Sequence, residues 1–193
     1  MTSRFRDALS YASEVHANDT RKGTTVPYLA HLLSVCSLIL TDGGSEDEAI
    51  AGLLHDTLED HPEVVKPDDI ERRYGRRVLS LVQACTDTPP GYAGGEKPPW
   101  RERKERYLAH LLETPGEDLR VTLADKLDNA RSLLADYREA GEDVWTRFNA
   151  GRADQLWYYR TLVANLRRVG PPGRLLGQLE GCVAEIERLA RAV

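Results

Sequence analysis

The chain has little of what many functions require. Its 193 residues include only three cysteines, one methionine and two phenylalanines. Cys36, Cys85 and Cys182 stand far apart without paired spacing. That excludes a disulfide framework and a cysteine-built metal site, and it reads as the reduced thiols of a cytoplasmic protein. No apolar run approaches the ~20 residues a membrane span needs. Met1 to Asp19 is too charged for a secretory signal. Basic residues are outnumbered, 26 to 31, for a formal charge of −5. This argues against a general nucleic-acid binder, while leaving room for a local basic pocket that takes phosphates. With so few Phe and Met, the core must be built from Leu, Val and Ala. No repeat or low-complexity segment appears, and the length suits one domain over 1–193.

An alternating strand pattern is also missing. Apolar positions recur at three- and four-residue steps nearly throughout, which predicts an all-α protein. A first helix is expected from Ser3 to about Ala17, then a polar loop from Asn18 to Val26. A second helix opens near Pro27 and runs to Leu40, where Asp42-Gly43-Gly44 ends it. Ser45 caps a third, with acids in its first turn, and this helix is expected to run on through His55 and Asp56 until Pro62 stops it. Further helices are expected over Lys66–Tyr74, Val78–Cys85, Trp100–Glu113, Asp118–Tyr137 and Val144–Val169, with a last one from Pro171-Pro172 to about Ala190. Thr86 to Pro99, with four prolines and three glycines, is the longest irregular stretch and a candidate mobile loop over a site.

What the chain does have is concentrated in Leu53-Leu54-His55-Asp56-Thr57-Leu58-Glu59-Asp60. On a continuous helix His55 lies beneath Glu59 and Asp56 beneath Asp60. One pair can hold a metal ion while the next turn handles protons around an activated water. Alone, the pattern also fits a solvated acidic helix tip. Two further residues have matching chemistry, His31 and Asp125. Two imidazoles and two carboxylates leave coordination positions open and suit Mn²⁺ better than a closed structural zinc. Singly, His31 reads as a core residue and Asp125 as a partner of Lys126 or Arg131.

The set His31 … His55-Asp56 … Asp125 resembles the HD-domain metal phosphohydrolases. Arg21-Lys22-Gly23, Val26-Pro27-Tyr28-Leu29-Ala30-His31-Leu32, the run ending in Glu59-Asp60, and Leu123-Ala124-Asp125-Lys126-Leu127-Asp128-Asn129 are similar to the hydrolase domain of the Rel/Spo-type alarmone enzymes. The likeness covers roughly the first three quarters of the chain, which is similar to the single-domain small alarmone hydrolases.

The resemblance implies that His31, His55, Asp56 and Asp125 bind one Mn²⁺. It implies that Glu59 and Asp60 manage the protons of the attacking water and the leaving group. Arg21 would flank the purine, Lys22 face the phosphates, and Asn129 and Ser132 serve the ribose or its phosphates. The reaction implied is removal of the 3′-pyrophosphate from (p)ppGpp, giving GDP or GTP and pyrophosphate. Adenosine alarmones ((p)ppApp) and the 2′-phosphate of NADPH are alternative substrates of the same machinery. A nucleotide-sensing module without catalysis is a further alternative, against which the intact Glu59-Asp60 pair speaks.

Lys126 is a further cation near the motifs, and Lys97 a candidate phosphate ligand. The basic helix with Arg101, Arg103, Lys104 and Arg106 reads either as a solvated face or as a substrate-facing one. Asn149 and Arg152 are candidates for the mouth of the site. Trp157, Tyr158 and Tyr159 read as core, and His16, His61 and His110 as ordinary helix residues. The expected partner is a small nucleotide, not nucleic acid or membrane, and a homo-oligomer is left open.

Overall fold

The computed structural model of the chain describes residues 1–87 and 95–191. Residues 88–94 of the proline-rich stretch expected to cover a site lie outside the described residues. The described residues are helical with no strand, apart from one isolated bridge between Thr20 and Pro27. The helices are α1 (Ser3–Val15), α2 (Leu29–Thr41), α3 (Glu46–Leu54), α4 (Thr57–Asp60), α5 (Pro67–Tyr74), α6 (Arg76–Cys85), α7 (Trp100–Glu113), α8 (Arg120–Ala140), α9 (Arg152–Val169) and α10 (Leu175–Arg191). Short 3₁₀ turns occupy Gly116–Asp118 and Gly141–Arg147. Among the described residues no helix is long and apolar enough to cross a membrane.

The core is the aliphatic one the composition requires. Leu32, Val35 and Ile39 of α2, Ile50, Leu53 and Leu54 of α3, and Leu123 and Leu127 of α8 are all fully buried. α8 is the central element, packed against α2, α3 and α10.

Three expected boundaries shift. The second helix begins at Leu29, because Pro27 is drawn into the bridge with Thr20. The expected Val144–Val169 helix is two pieces, a 3₁₀ turn and then α9, which Gly151 precedes in an extended conformation. The third helix does not run through the motif. It stops at Leu54, and a new turn starts at Thr57, whose hydroxyl donates to the Leu54 carbonyl at 2.7 Å. A threonine hydroxyl competing for a helical carbonyl is a familiar way to break a helix.

Ser45 and Glu48 form a reciprocal capping box at the start of α3. Just before it, Gly43 adopts φ +82°, and the N–H groups of Gly43 and Gly44 close the end of α2 on the carbonyls of Leu40 and Ile39. This is the left-handed ending that glycine permits. Arg120 then fastens α8 to both features. It donates to Asp42 at 3.2 Å and to Glu48 at 2.5 Å, with the carboxylates 3% and 8% exposed. The second oxygen of Asp42 accepts the backbone N–H of Arg174 at 2.7 Å, just ahead of α10. The network therefore sets the register of α3, which leads directly into His55-Asp56, against α8, which carries Asp125.

Removing the cation leaves two nearly buried carboxylates unpaired, which costs several kcal/mol in comparable cases. Arg120→Met is expected to destabilise the fold by about 3 kcal/mol in urea unfolding. A change within about 0.5 kcal/mol, the range of an ordinary surface substitution, would show that the pairing does not hold the helices in register.

Candidate active site

Four side chains expected to share one ion do converge. His31 comes from the first turn of α2, His55 and Asp56 from the break between α3 and α4, and Asp125 from α8. The Nε2 atoms of His31 and His55 face each other at 3.3 Å. Asp56 Oδ2 lies 2.8 Å from His55 Nε2 and 3.8 Å from His31 Nε2. The donor atoms of His31, His55 and Asp56 all lie within 4.8 Å of one another. Asp125 Oδ1 approaches the two imidazoles at 3.4 and 3.6 Å. The helix break makes this possible. Consecutive residues of a regular helix point about 100° apart, whereas here both side chains of the His-Asp pair turn into one centre.

The outer nitrogen of each imidazole is tied down. His55 Nδ1 donates to the Gly52 carbonyl at 2.9 Å, and His31 Nδ1 to the Asp128 carboxylate at 2.6 Å. Each acceptor places the proton on Nδ1 and leaves the Nε2 lone pair facing inward. Two lone pairs and two carboxylates meeting in this way fit a cation. Burial works against a proton on either ring, yet the surrounding carboxylates raise both pKa values, that of His55 strongly. Burial likewise opposes ionisation of Asp56 and Asp125. The His55 imidazole for Asp56, and Lys126 with the two imidazoles for Asp125, override it and hold both carboxyls below the ordinary range.

Glu59 and Asp60 lie on α4 at the edge of this centre. Glu59 accepts from Lys97 Nζ at 2.8 Å, from Thr86 Oγ1 at 3.3 Å and from the backbone N–H of Asp87 at 3.4 Å. Asp60 faces solvent, but the protein beside its carboxyl excludes part of its water, and Asp56 and Glu59 add like-charge repulsion. Its pKa is pushed up to about 7, so it is partly protonated near neutrality. A carboxyl poised there suits proton transfer.

Arg21 reaches the site from a turn that the Thr20–Pro27 bridge closes, where Gly23 takes φ +74°. Its guanidinium donates to Asp128 at 3.0 Å and to the Asn129 side-chain oxygen at 3.1 Å. Asn129 in turn donates to Asp125 Oδ1 at 2.5 Å. Lys22 lies further out, on Asn149 at 3.0 Å. Ser132 is half-buried one turn beyond Asn129 on α8, outside this network of contacts among the described residues.

Some cations do not stand where the sequence suggested. Lys126 turns inward, bonded to Asp125 at 2.6 Å with its Nζ 5.0 Å from the Tyr107 ring centre, so it steadies a carboxylate instead of lying open to phosphate. The basic helix is divided. Arg103 and Lys104 turn onto the buried Asp87, while Arg101 lies over the Trp157 ring and Arg106 pairs with Glu102. Arg152 pairs with Glu142.

Sequence reasoning missed Asp128, which accepts from His31, Arg21 and Ser34, and Tyr28, whose hydroxyl donates to Asp56. Both carried a signal. Asp128 lies one turn after Asp125, and Tyr28 one turn before His31, on the faces those residues occupy. Asp87 gave none, since nothing local shows that a loop acid will be buried against two cations.

A model of the HD domain matches residues 8–156. The guanosine-3′,5′-bis(diphosphate) 3′-pyrophosphohydrolase MESH1 of Drosophila melanogaster is 30% identical over 170 residues, 86% of this chain and 86% of that one. The guanosine-3′,5′-bis(diphosphate) 3′-pyrophosphohydrolase of Aquifex aeolicus is 36% identical over 129 residues, 65% of this chain but 17% of its own length. Among solved structures, one described as a metazoan ortholog of SpoT that hydrolyzes ppGpp superposes with a TM-score of 0.76 at 25% identity, over 96% of this chain and 97% of that one.

Proposed function

The chain belongs to the HD-domain family, and from that premise we propose that its 193 residues act as one metal-dependent hydrolase domain that removes the 3′-pyrophosphate of (p)ppGpp. The observation that carries this reading is the inward pair of Nε2 lone pairs, 3.3 Å apart and flanked by Asp56 and Asp125. The activity for which the Drosophila and Aquifex relatives are named supports the substrate.

His31, His55, Asp56 and Asp125 would hold one Mn²⁺, for which a mixed nitrogen and oxygen set with open positions is suited. When bound, such an ion supplies positive charge that polarises a phosphoryl oxygen and acidifies water. Glu59 accepts the proton of the water that attacks the phosphorus on the ribose 3′-oxygen. Asp60, protonated in part near neutral pH, returns a proton to that oxygen as the phosphorus–oxygen bond breaks. The products are pyrophosphate and GDP or GTP. Arg21 flanks the purine and Lys22 meets phosphate at the rim, the guanidinium being able both to stack and to chelate. Asn129 and Ser132 line the ribose side.

With Mn²⁺ the protein is expected to release pyrophosphate from ppGpp. Chelation by EDTA should abolish turnover and added Mn²⁺ restore it. Equal or better kcat/KM on NADPH or on an adenosine alarmone would overturn the choice of substrate. Glu59→Gln should lower kcat by roughly 10²–10⁴-fold with Mn²⁺ and nucleotide affinity little changed, since it removes only the proton acceptor. If calorimetry instead finds the ion lost, Glu59 is a ligand. Asp128→Ala frees His31 Nδ1 and should weaken Mn²⁺ binding by about 10–100-fold. An unchanged affinity would leave Asp128 without a part in orienting His31.

A further inference from the structure

A second cluster of donors lies outside the centre just described. His16 caps the end of α1, Asp19 sits in the loop that follows, and His61 caps the end of α4. His16 Nδ1 is 2.8 Å and His61 Nε2 2.6 Å from the same oxygen, Asp19 Oδ2. One donor atom from each of the three lies within 4.8 Å of the others. The Tyr28 ring separates the cluster from the main centre. It lies 5.1 Å from the His16 ring and 5.3 Å from the His31 ring, centroid to centroid.

Protons and a metal ion are the two ways of satisfying this cluster, since a doubly protonated His61 would donate to both carboxylates it faces. Both ring nitrogens of His61 face carboxylates, since Nδ1 is 3.4 Å from Glu63 Oε1. A neutral imidazole donates from one nitrogen only. If Nδ1–H turns to Glu63, as a carboxylate behind a metal-bound histidine commonly requires, the Nε2 lone pair points at Asp19. In that arrangement the two imidazoles and the carboxylate are placed to share a cation. His16 forms a buried wall, with its side chain fully enclosed, while Asp19 and His61 are 34% and 20% exposed, so the remaining side opens to solvent.

We propose that His16, Asp19 and His61 form a second divalent-metal site, open to water on one side, that takes a first-row transition ion such as Zn²⁺. Two imidazoles and one carboxylate suit that class of ion. The site fastens α1 to the end of α4, the element that carries Glu59 and Asp60. The inference does not depend on the nucleotide assignment.

Zn²⁺ alone is the probe, with bound metal counted after gel filtration. Wild type should retain two equivalents. His61→Asn and Asp19→Asn should each retain one, and Asp125→Asn, which damages only the main centre, should also retain one. The double variant Asp125→Asn/His61→Asn should retain none. Zn²⁺ should raise the melting temperature of Asp125→Asn and leave that of the double variant unchanged, with circular dichroism in metal-free buffer verifying that each variant folds. Wild-type stoichiometry in both His61→Asn and Asp19→Asn would overturn the proposal, as would an Asp125→Asn protein that binds no metal and gains no thermal stability.

Discussion

The site depends on two imidazoles whose Nε2 atoms face each other at 3.3 Å, each with an acceptor for its Nδ1 proton on the far side. Everything else in the site follows from that constraint. The Gly52 carbonyl and the Asp128 carboxylate receive those protons. Gly52 is available because it lies one turn before His55 on α3. Asp128 is available because α8 lies across α2 at the level of His31. The orientation of each ring is therefore a property of helix packing as much as of the histidine itself, and the acids that face the rings are held ionised by the charges the packing brings near.

The same logic governs the other buried charges. Asp42 and Glu48 share Arg120, Asp87 takes Arg103 and Lys104, and Asp125 has Lys126. An isolated charge at any of these depths would be costly to bury. Each group instead joins elements distant in the chain, so the electrostatic pairing also defines which helices meet.

The all-α class was legible from apolar spacing, and the meeting of His31, His55, Asp56 and Asp125 from the resemblance of their motifs to a known family, since singly His31 and Asp125 carry no sign of it. The break at His55-Asp56 was not. It depends on Thr57 finding the Leu54 carbonyl, which propensity over a window does not register. The fate of the basic helix was equally hidden. Arg103 looks like a solvent-facing charge until Asp87 is known to be beside it, whereas the Asp125–Lys126 pairing was already open to a local reading. Asp128 lay in plain view one turn beyond Asp125, but only the approach of α2 reveals what it accepts.

The long contact between α8 and α10 bears on how the protein comes to be active. Residues 8–156 match the family model, and all four converging donors lie within them. Yet the helix that supplies Asp125 leans on a helix that begins at Leu175, and Asp42 is bound to the backbone of Arg174 across a sequence separation of 132 residues. Pairings between such distant segments form slowly, because a long loop must close first. The helix that supplies Asp125 draws part of its packing from well beyond the residues that match the family model, so the geometry of the site rests on segments that carry none of its chemistry.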